Sequence, residues 1–268
     1  MSVNDGARSQ GGSGVADGAG PQGDPLVSEK TRAEMREIIA RYPQPRSALL
    51  PMLHLAQSVE GFVSADAITM CAEELGLTKA EVGAVATFYT MYRRRSAGEY
   101  HVGVCTNTLC AVLGGDAILD SLKEHLGIGH NETTEDGRIS LEHVECNAAF
   151  DYAPVVMVNW EFYDDQTPSS ARELVDACRA GTPPPPTRGP SRLCTFKENS
   201  RVLAGFPDGL AGEGVQAGPA TLVGLELAKS RGDSAPPYPG SSDGESSAQG
   251  SSDDVKDGQL TLDTSKEG

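Results

Sequence analysis

Glycine and proline crowd the two ends of this chain, and that distribution bounds what the rest can fold into. The 268 residues include 31 Gly and 17 Pro, well above the roughly 12% usual for a globular chain. The excess lies in residues 1–26 and beyond Gly181. Segments so poor in apolar side chains cannot bury enough surface to offset their ordering entropy. Disordered tails are therefore expected over 1–27 and from Arg231 to the end, where acidic residues outnumber basic ones. About 150 residues remain between them, enough for a core that hides roughly two-thirds of the unfolded surface.

Inside that stretch the hydrophobic period changes once. Thr31-Arg32-Ala33-Glu34 reads as a capping box, with Met35, Ile38 and Ile39 on one face behind it and Tyr42-Pro43 as a stop. Ser47 is placed to cap a second helix with Pro51 in its opening turn, running to Gly61. A third helix is expected over Ala65–Leu75, ended by Gly76. Thr78-Lys79-Ala80-Glu81 is a further capping box, opening a fourth through Val82, Val85, Phe88 and Tyr89. Short links between them imply a small antiparallel helical bundle over 28–95.

From Tyr100 the pattern is that of strands, at Tyr100–Val104, Ile139–Val144 and Pro154–Val158, with helices at Gly115–Leu126 and Ser169–Ala180. The fold class is α+β, a helical bundle followed over 96–181 by a small α/β layer on one sheet. Residues 182–268 form a Pro/Gly/acid-rich extension, expected to be mostly disordered. Within it Leu193–Phe206 is apolar enough to dock on the domain or a partner, and Leu222–Leu227 is a second such segment.

The formal charge of −16 argues against nucleic acid as a partner, because phosphate recognition needs a basic face. No apolar run approaches the ~18–20 residues that span a bilayer, and Met1–Pro25 carries no apolar signal region. A cytoplasmic chain with no direct membrane insertion is expected. In that compartment the six cysteines read as ligands or buried apolar residues, not disulfides. There is no phosphate-cradling or dinucleotide-binding glycine motif, and no C-x-x-C pair of the thiol–disulfide oxidoreductases.

Cys105 and Cys110 form a C-x4-C loop directly after one strand, and Cys146 stands just beyond the next. Adjacent strands would bring the three thiols to one end of the sheet. Taken singly, each reads equally well as a small buried hydrophobe; together they favour a metal or cluster. His143, three residues before Cys146, allows a Cys3His zinc site, though a structural histidine is the plainer reading. Cys71, Cys178 and Cys194 read as packing, and Arg93-Arg94-Arg95 as a solvated linker.

Further residues make the comparison specific. Val85-Ala86-Thr87-Phe88-Tyr89 closes the helical part, the C-x4-C loop follows a strand, and Glu145-Cys146-Asn147-Ala148-Ala149 leads into Ala153-Pro154-Val155. Over about residues 30–205 the chain resembles the E-subunit family of NADH–quinone oxidoreductase, the thioredoxin-like [2Fe–2S] ferredoxins. The Thr187–Phe206 extension looks actinobacterial in style. The resemblance implies a thioredoxin-like domain behind the helices and a [2Fe–2S] cofactor. It also implies two partners, the flavin- and NADH-binding F subunit and the iron–sulfur G subunit. The complex would hold the chain at the cytoplasmic side of the plasma membrane, and no complete active site would lie on this chain alone. Carried over residue by residue, Cys105 and Cys110 match the ligands of one iron and Cys146 the third ligand. Phe150 stands at the fourth position and has no donor atom, leaving an opening for Asp151, water or nothing. Two alternatives accompany this reading. One is a clusterless structural subunit of the same complex; the other is the equivalent subunit of an NAD-linked hydrogenase or formate dehydrogenase.

Overall fold

Helix capping decides where the first elements begin. A computed structural model describes residues 28–214 and 217–236; the tails expected over 1–27 and from Arg231 onward lie outside these residues, except for residues 231–236. Helix α1 (Glu29–Ile39) starts earlier than its sequence pattern indicates, because Ser28 is the cap and accepts from the Thr31 N–H at 3.1 Å. Thr31 is buried within the helix, its hydroxyl 2.9 Å from that of Ser28. The expected box at Thr31 and Glu34 does not form, since the Glu34 carboxylate is held by both terminal nitrogens of Arg201 at 2.8 and 3.1 Å. Ser47 likewise does not cap a helix: it lies in a 3-10 turn, Pro45–Ala48, from which α2 (Leu49–Glu60) grows with no side-chain cap. Helices α3 (Ala65–Leu75) and α4 (Lys79–Phe88) follow their signals. Gly76 closes α3 at φ 65°, and Thr78 and Glu81 cap α4 reciprocally. The four helices share one core built on Met35, Ile38, Met52, Leu53 and Met70.

The second part is a five-stranded sheet in the order β2-β3-β1-β4-β5, from β1 (Tyr100–Cys105), β2 (Glu132–Thr133), β3 (Ile139–Val144), β4 (Val156–Val158) and β5 (Glu161–Tyr163). Strands β1 and β3 are parallel, with Tyr100 opposite Ile139 and Cys105 opposite Val144. They are joined by a crossover through α5 (Thr108–Val112) and α6 (Gly115–Leu126). The remaining pairings are antiparallel. Tyr100, Val102, Val104, Ile139 and Leu141 alternate onto one face and pack with Ile118 and Leu122 of α6 and with Leu174 and Val175 of α7 (Pro168–Arg179). A parallel pair needs cover on both faces. On the other side His101 is buried, with its ring centroid 5.9 Å from that of Trp160 and 6.2 Å from that of Phe196.

The segment Leu193–Phe206 docks on the chain's own helices. It forms α8 (Phe196–Leu203), which packs on α2 and buries Phe196 and Ala204. Gln57 ties the pieces together from a fully buried position. Its amide donates to Met91 O at 3.0 Å and Ser200 Oγ at 3.3 Å, and its oxygen accepts from Arg93 N–H at 2.7 Å. A last helix, α9 (Pro219–Arg231), carries no buried residue, and from Leu222 onward it belongs to a second compact unit. Among the described residues no helix is long and apolar enough to cross a membrane.

Candidate functional site

The C-terminal ends of the parallel strands β1 and β3 build the site. Cys105 is the last residue of β1, and its N–H donates to Val155 O at 3.2 Å. The chain then turns at Asn107, whose side-chain oxygen accepts from Thr108 N–H at 3.2 Å and so starts α5, the short helix that carries Cys110. The Asn107 amide donates to Glu145 Oε2 at 2.9 Å, tying the first cysteine loop to the one that follows β3. In that second loop the Ala148 N–H donates to Cys146 Sγ at 3.3 Å, with Ala148 in the left-handed region at φ 56°. A short 3-10 turn, Phe150–Tyr152, follows.

These loops close around a cavity of about 390 Å³ whose lining includes Cys105, Cys110, Cys146 and Phe150. Cys105 and Cys110 are buried and Cys146 is exposed. Burial pushes the Cys110 thiol up, a backbone hydrogen bond at Val155 pulls it down, and Cys105 and Cys146 push it up again. Gly115 makes the close approach possible: a Cβ there would lie 2.5 Å from Cys105 O and 2.9 Å from Cys110 O. The sequence pattern does not single out Gly115 or Asn107, although an Asn before a helical turn is a readable cap.

Phe150 lines the same cavity and is 60% exposed. Asp151 does not line it. Its carboxylate accepts from the Thr221 hydroxyl, a bond that holds this acid below the usual carboxylate range. A binuclear iron–sulfur group takes two thiolates on each iron. The residues present supply a pair from Cys105 and Cys110 but one thiol from Cys146, so the donor set does not fit the full group. Among the described residues no three His, Cys, Asp or Glu side chains come together to hold a single metal ion. The Cys3His zinc site is therefore not formed. His143 faces a second cavity of about 560 Å³ that it shares with His130, His101, Glu142 and Trp160. Cys71, Cys178 and Cys194 are buried elsewhere. Arg93 is no solvated linker: it pairs with Glu142 at 2.9 Å and donates to Asn131 at 2.8 Å.

The description of the thioredoxin-like [2Fe-2S] ferredoxin family matches residues 35–179. The E subunit of NADH-quinone oxidoreductase from Mycobacterium tuberculosis is 60% identical over 228 residues, covering 84% of this chain and 90% of its own. The protein of the same name from Rickettsia bellii is 39% identical over 154 residues, covering 56% of this chain and 92% of its own. A chain of an NAD+-reducing [NiFe]-hydrogenase aligns over 50% of this chain and 23% of its own, at 22% identity and a TM-score of 0.46, too distant to carry a functional argument. With a family match over more than half its length and a 60% identical relative covered almost end to end, the chain belongs to the thioredoxin-like [2Fe–2S] ferredoxin family, in the branch of the NADH–quinone oxidoreductase E subunits.

Proposed function

We propose that this chain serves as the E subunit of an NADH–quinone oxidoreductase, seated against the flavin- and NADH-binding F subunit and beside the iron–sulfur G subunit. In this reading residues 28–95 are a helical docking domain and 96–181 the thioredoxin-like domain. The assembled complex keeps the chain at the cytoplasmic face of the membrane, without insertion of its own. One observation carries the reading: Cys105, Cys110 and Cys146 line a single cavity at the end of a parallel strand pair, in a family described as [2Fe–2S] ferredoxins. Leu109 and Val112, which line that cavity, and the neighbouring Leu113 are exposed and make an apolar rim. Contiguous apolar surface of this kind marks contact with another protein.

Where such a subunit carries its cofactor, the cofactor supplies the redox chemistry and the protein supplies position and electrostatics. What this chain's own residues do is hold the two cysteine loops together, through Asn107 and Glu145, and present the apolar rim. A structural role within the same complex is favoured by one residue, Phe150, which has no donor atom where the family's fourth ligand would stand. The test is assembly. A tagged copy of the chain, expressed in a host lacking its own E subunit, should co-purify with the flavin-bearing subunit. Purification of the tagged chain alone, while the host's complex assembles without it, would refute the assignment.

A further inference from the structure

We infer that this chain does not hold a stable [2Fe–2S] cluster, and that the lack of a thiol at position 150 alone withholds it. The inference rests on the E-subunit assignment and concerns what this member has kept of the family's site. The ligand count comes first. Loss of an outer partner to a metal site lowers affinity roughly 10–100-fold, and here a ligand itself is missing. Cys146 faces the cavity without a second thiol beside it, because the side chain four residues on is a phenyl ring.

No neighbour offers a thiolate in the ring's place. Besides the thiols, the side-chain heteroatoms lining the cavity belong to Asn107, Thr108 and Asn147. These are neutral oxygen and nitrogen donors, poor company for iron that thiolate suits. Asn107 is also already bonded through its amide to Glu145 at 2.9 Å and through its oxygen to Thr108 N–H at 3.2 Å. Asp151 is adjacent in sequence, yet its carboxylate is engaged by Thr221. Recruiting it would break that bond.

The remainder of the site is intact. Ala148 still donates to Cys146 Sγ, Asn107 still joins the two loops, and Gly115 still admits α6 against the carbonyls of Cys105 and Cys110. None of these contacts involves the Phe150 ring, which is exposed. A thiol placed at position 150 therefore enters a cavity already formed, and the capacity is recoverable by one substitution.

The experiment uses the full chain and the variants Phe150→Cys and Phe150→Ala, each reconstituted anaerobically with ferric iron and sulfide and then desalted. Iron, acid-labile sulfide, visible absorption and low-temperature EPR after reduction are recorded. The parent chain and Phe150→Ala should retain at least ~10-fold less iron and sulfide than Phe150→Cys, which should approach stoichiometric loading. A second arm does not depend on the cysteine variant: excess ethanethiol should raise loading of Phe150→Ala, because a small thiolate can occupy the space the ring has left. Equal loading of parent and Phe150→Cys would overturn the inference by showing that three cysteines suffice. Equal loading of Phe150→Ala without added thiol would overturn it too, by showing that bulk and not the missing donor is decisive. Failure of both Phe150→Cys and the thiol rescue would place the defect elsewhere and refute the role given to Phe150. Co-purification with the flavin-bearing subunit, run on the same preparations, separates the two claims. A chain that docks with a cluster sinks this inference alone, and one that fails to dock sinks the assignment whatever its iron content.

Discussion

At the scale of single residues the cysteines divide by solvent access and by charge. Cys146 is exposed, whereas burial pushes the thiols of Cys71 and Cys178 up to about 12 and that of Cys194 up to about 11. The thiolate is the nucleophile, and a rise from about 9 to about 12 lowers its population about a thousandfold at a given pH. Native-state alkylation with iodoacetamide near neutral pH should therefore modify Cys146 first. Cys71, Cys178 and Cys194 should stay unmodified until denaturant is added, as a peptide mass-spectrometric time course would show. Early labelling of Cys178 would contradict the packing described. The thiols and Phe150 are legible in the sequence because a strand's end fixes where its next residues lie. Arg93 is not legible. In a run of three arginines it looks solvated, and nothing in the local pattern reveals that Glu142, far along the chain on β3, supplies its partner. Asp151 is equally hidden, since its engagement depends on Thr221, which sits in the distant extension.

At the scale of elements the strongest expectation concerns α8. Phe196 is 1% exposed and sits where the helical core meets the His101 face of the sheet, with its ring 5.3 Å from that of Trp160. Truncating a buried aromatic costs about 3–5 kcal/mol, so Phe196→Ala should lower unfolding stability by that much in urea melts followed by circular dichroism. A loss under about 1 kcal/mol would mean that α8 does not brace the fold. Gly115→Ala tests the site's own scaffold, because the added methyl meets backbone carbonyls that cannot rotate away. Overpacking of this kind costs about 1–3 kcal/mol, and the same melts would read it. Elements with a clear hydrophobic period, such as α3, α4 and α6, are legible to within a residue or so. Strands β2 and β5 are not, being two and three residues long, too short for alternation to be seen. The start of α1 escapes the sequence pattern for a different reason: Thr31 and Glu34 have the right chemistry for a box, but Arg201 on α8 takes the glutamate. A local motif gives way when a distant charge offers its acid a stronger bond.

At the scale of the whole molecule, burial of two histidines and the net acidity act in one pH window. Burial lowers His101 from 6.5 to about 3, with Arg93 adding to the effect, and lowers His54 to about 4. His101 Nε2 lies 2.7 Å from Glu142 Oε2, Arg93 pairs with that same carboxylate, and Trp160 and Phe196 cover the ring. Both imidazoles stay neutral in the folded chain, while in the unfolded chain they take up protons once the pH drops below about 6.5. Their contribution to stability is thus complete above that value and is lost progressively as the pH falls toward their folded values. Over the same range the charge of −16 at pH 7 shrinks toward zero near pH 4.7, which removes the repulsion that keeps molecules apart. The urea midpoint should therefore fall between about pH 6.5 and 5, above the range in which ordinary carboxylates titrate, and light scattering should peak near the isoelectric point. His101→Gln keeps a neutral donor for Glu142 but cannot titrate. It should flatten the decline in stability and leave the scattering maximum in place, since one neutral residue hardly alters the net charge. A midpoint that is level across that window in the parent chain would show that neither histidine is held neutral by the fold. If His101→Gln instead follows the parent curve, the burden falls on His54 alone.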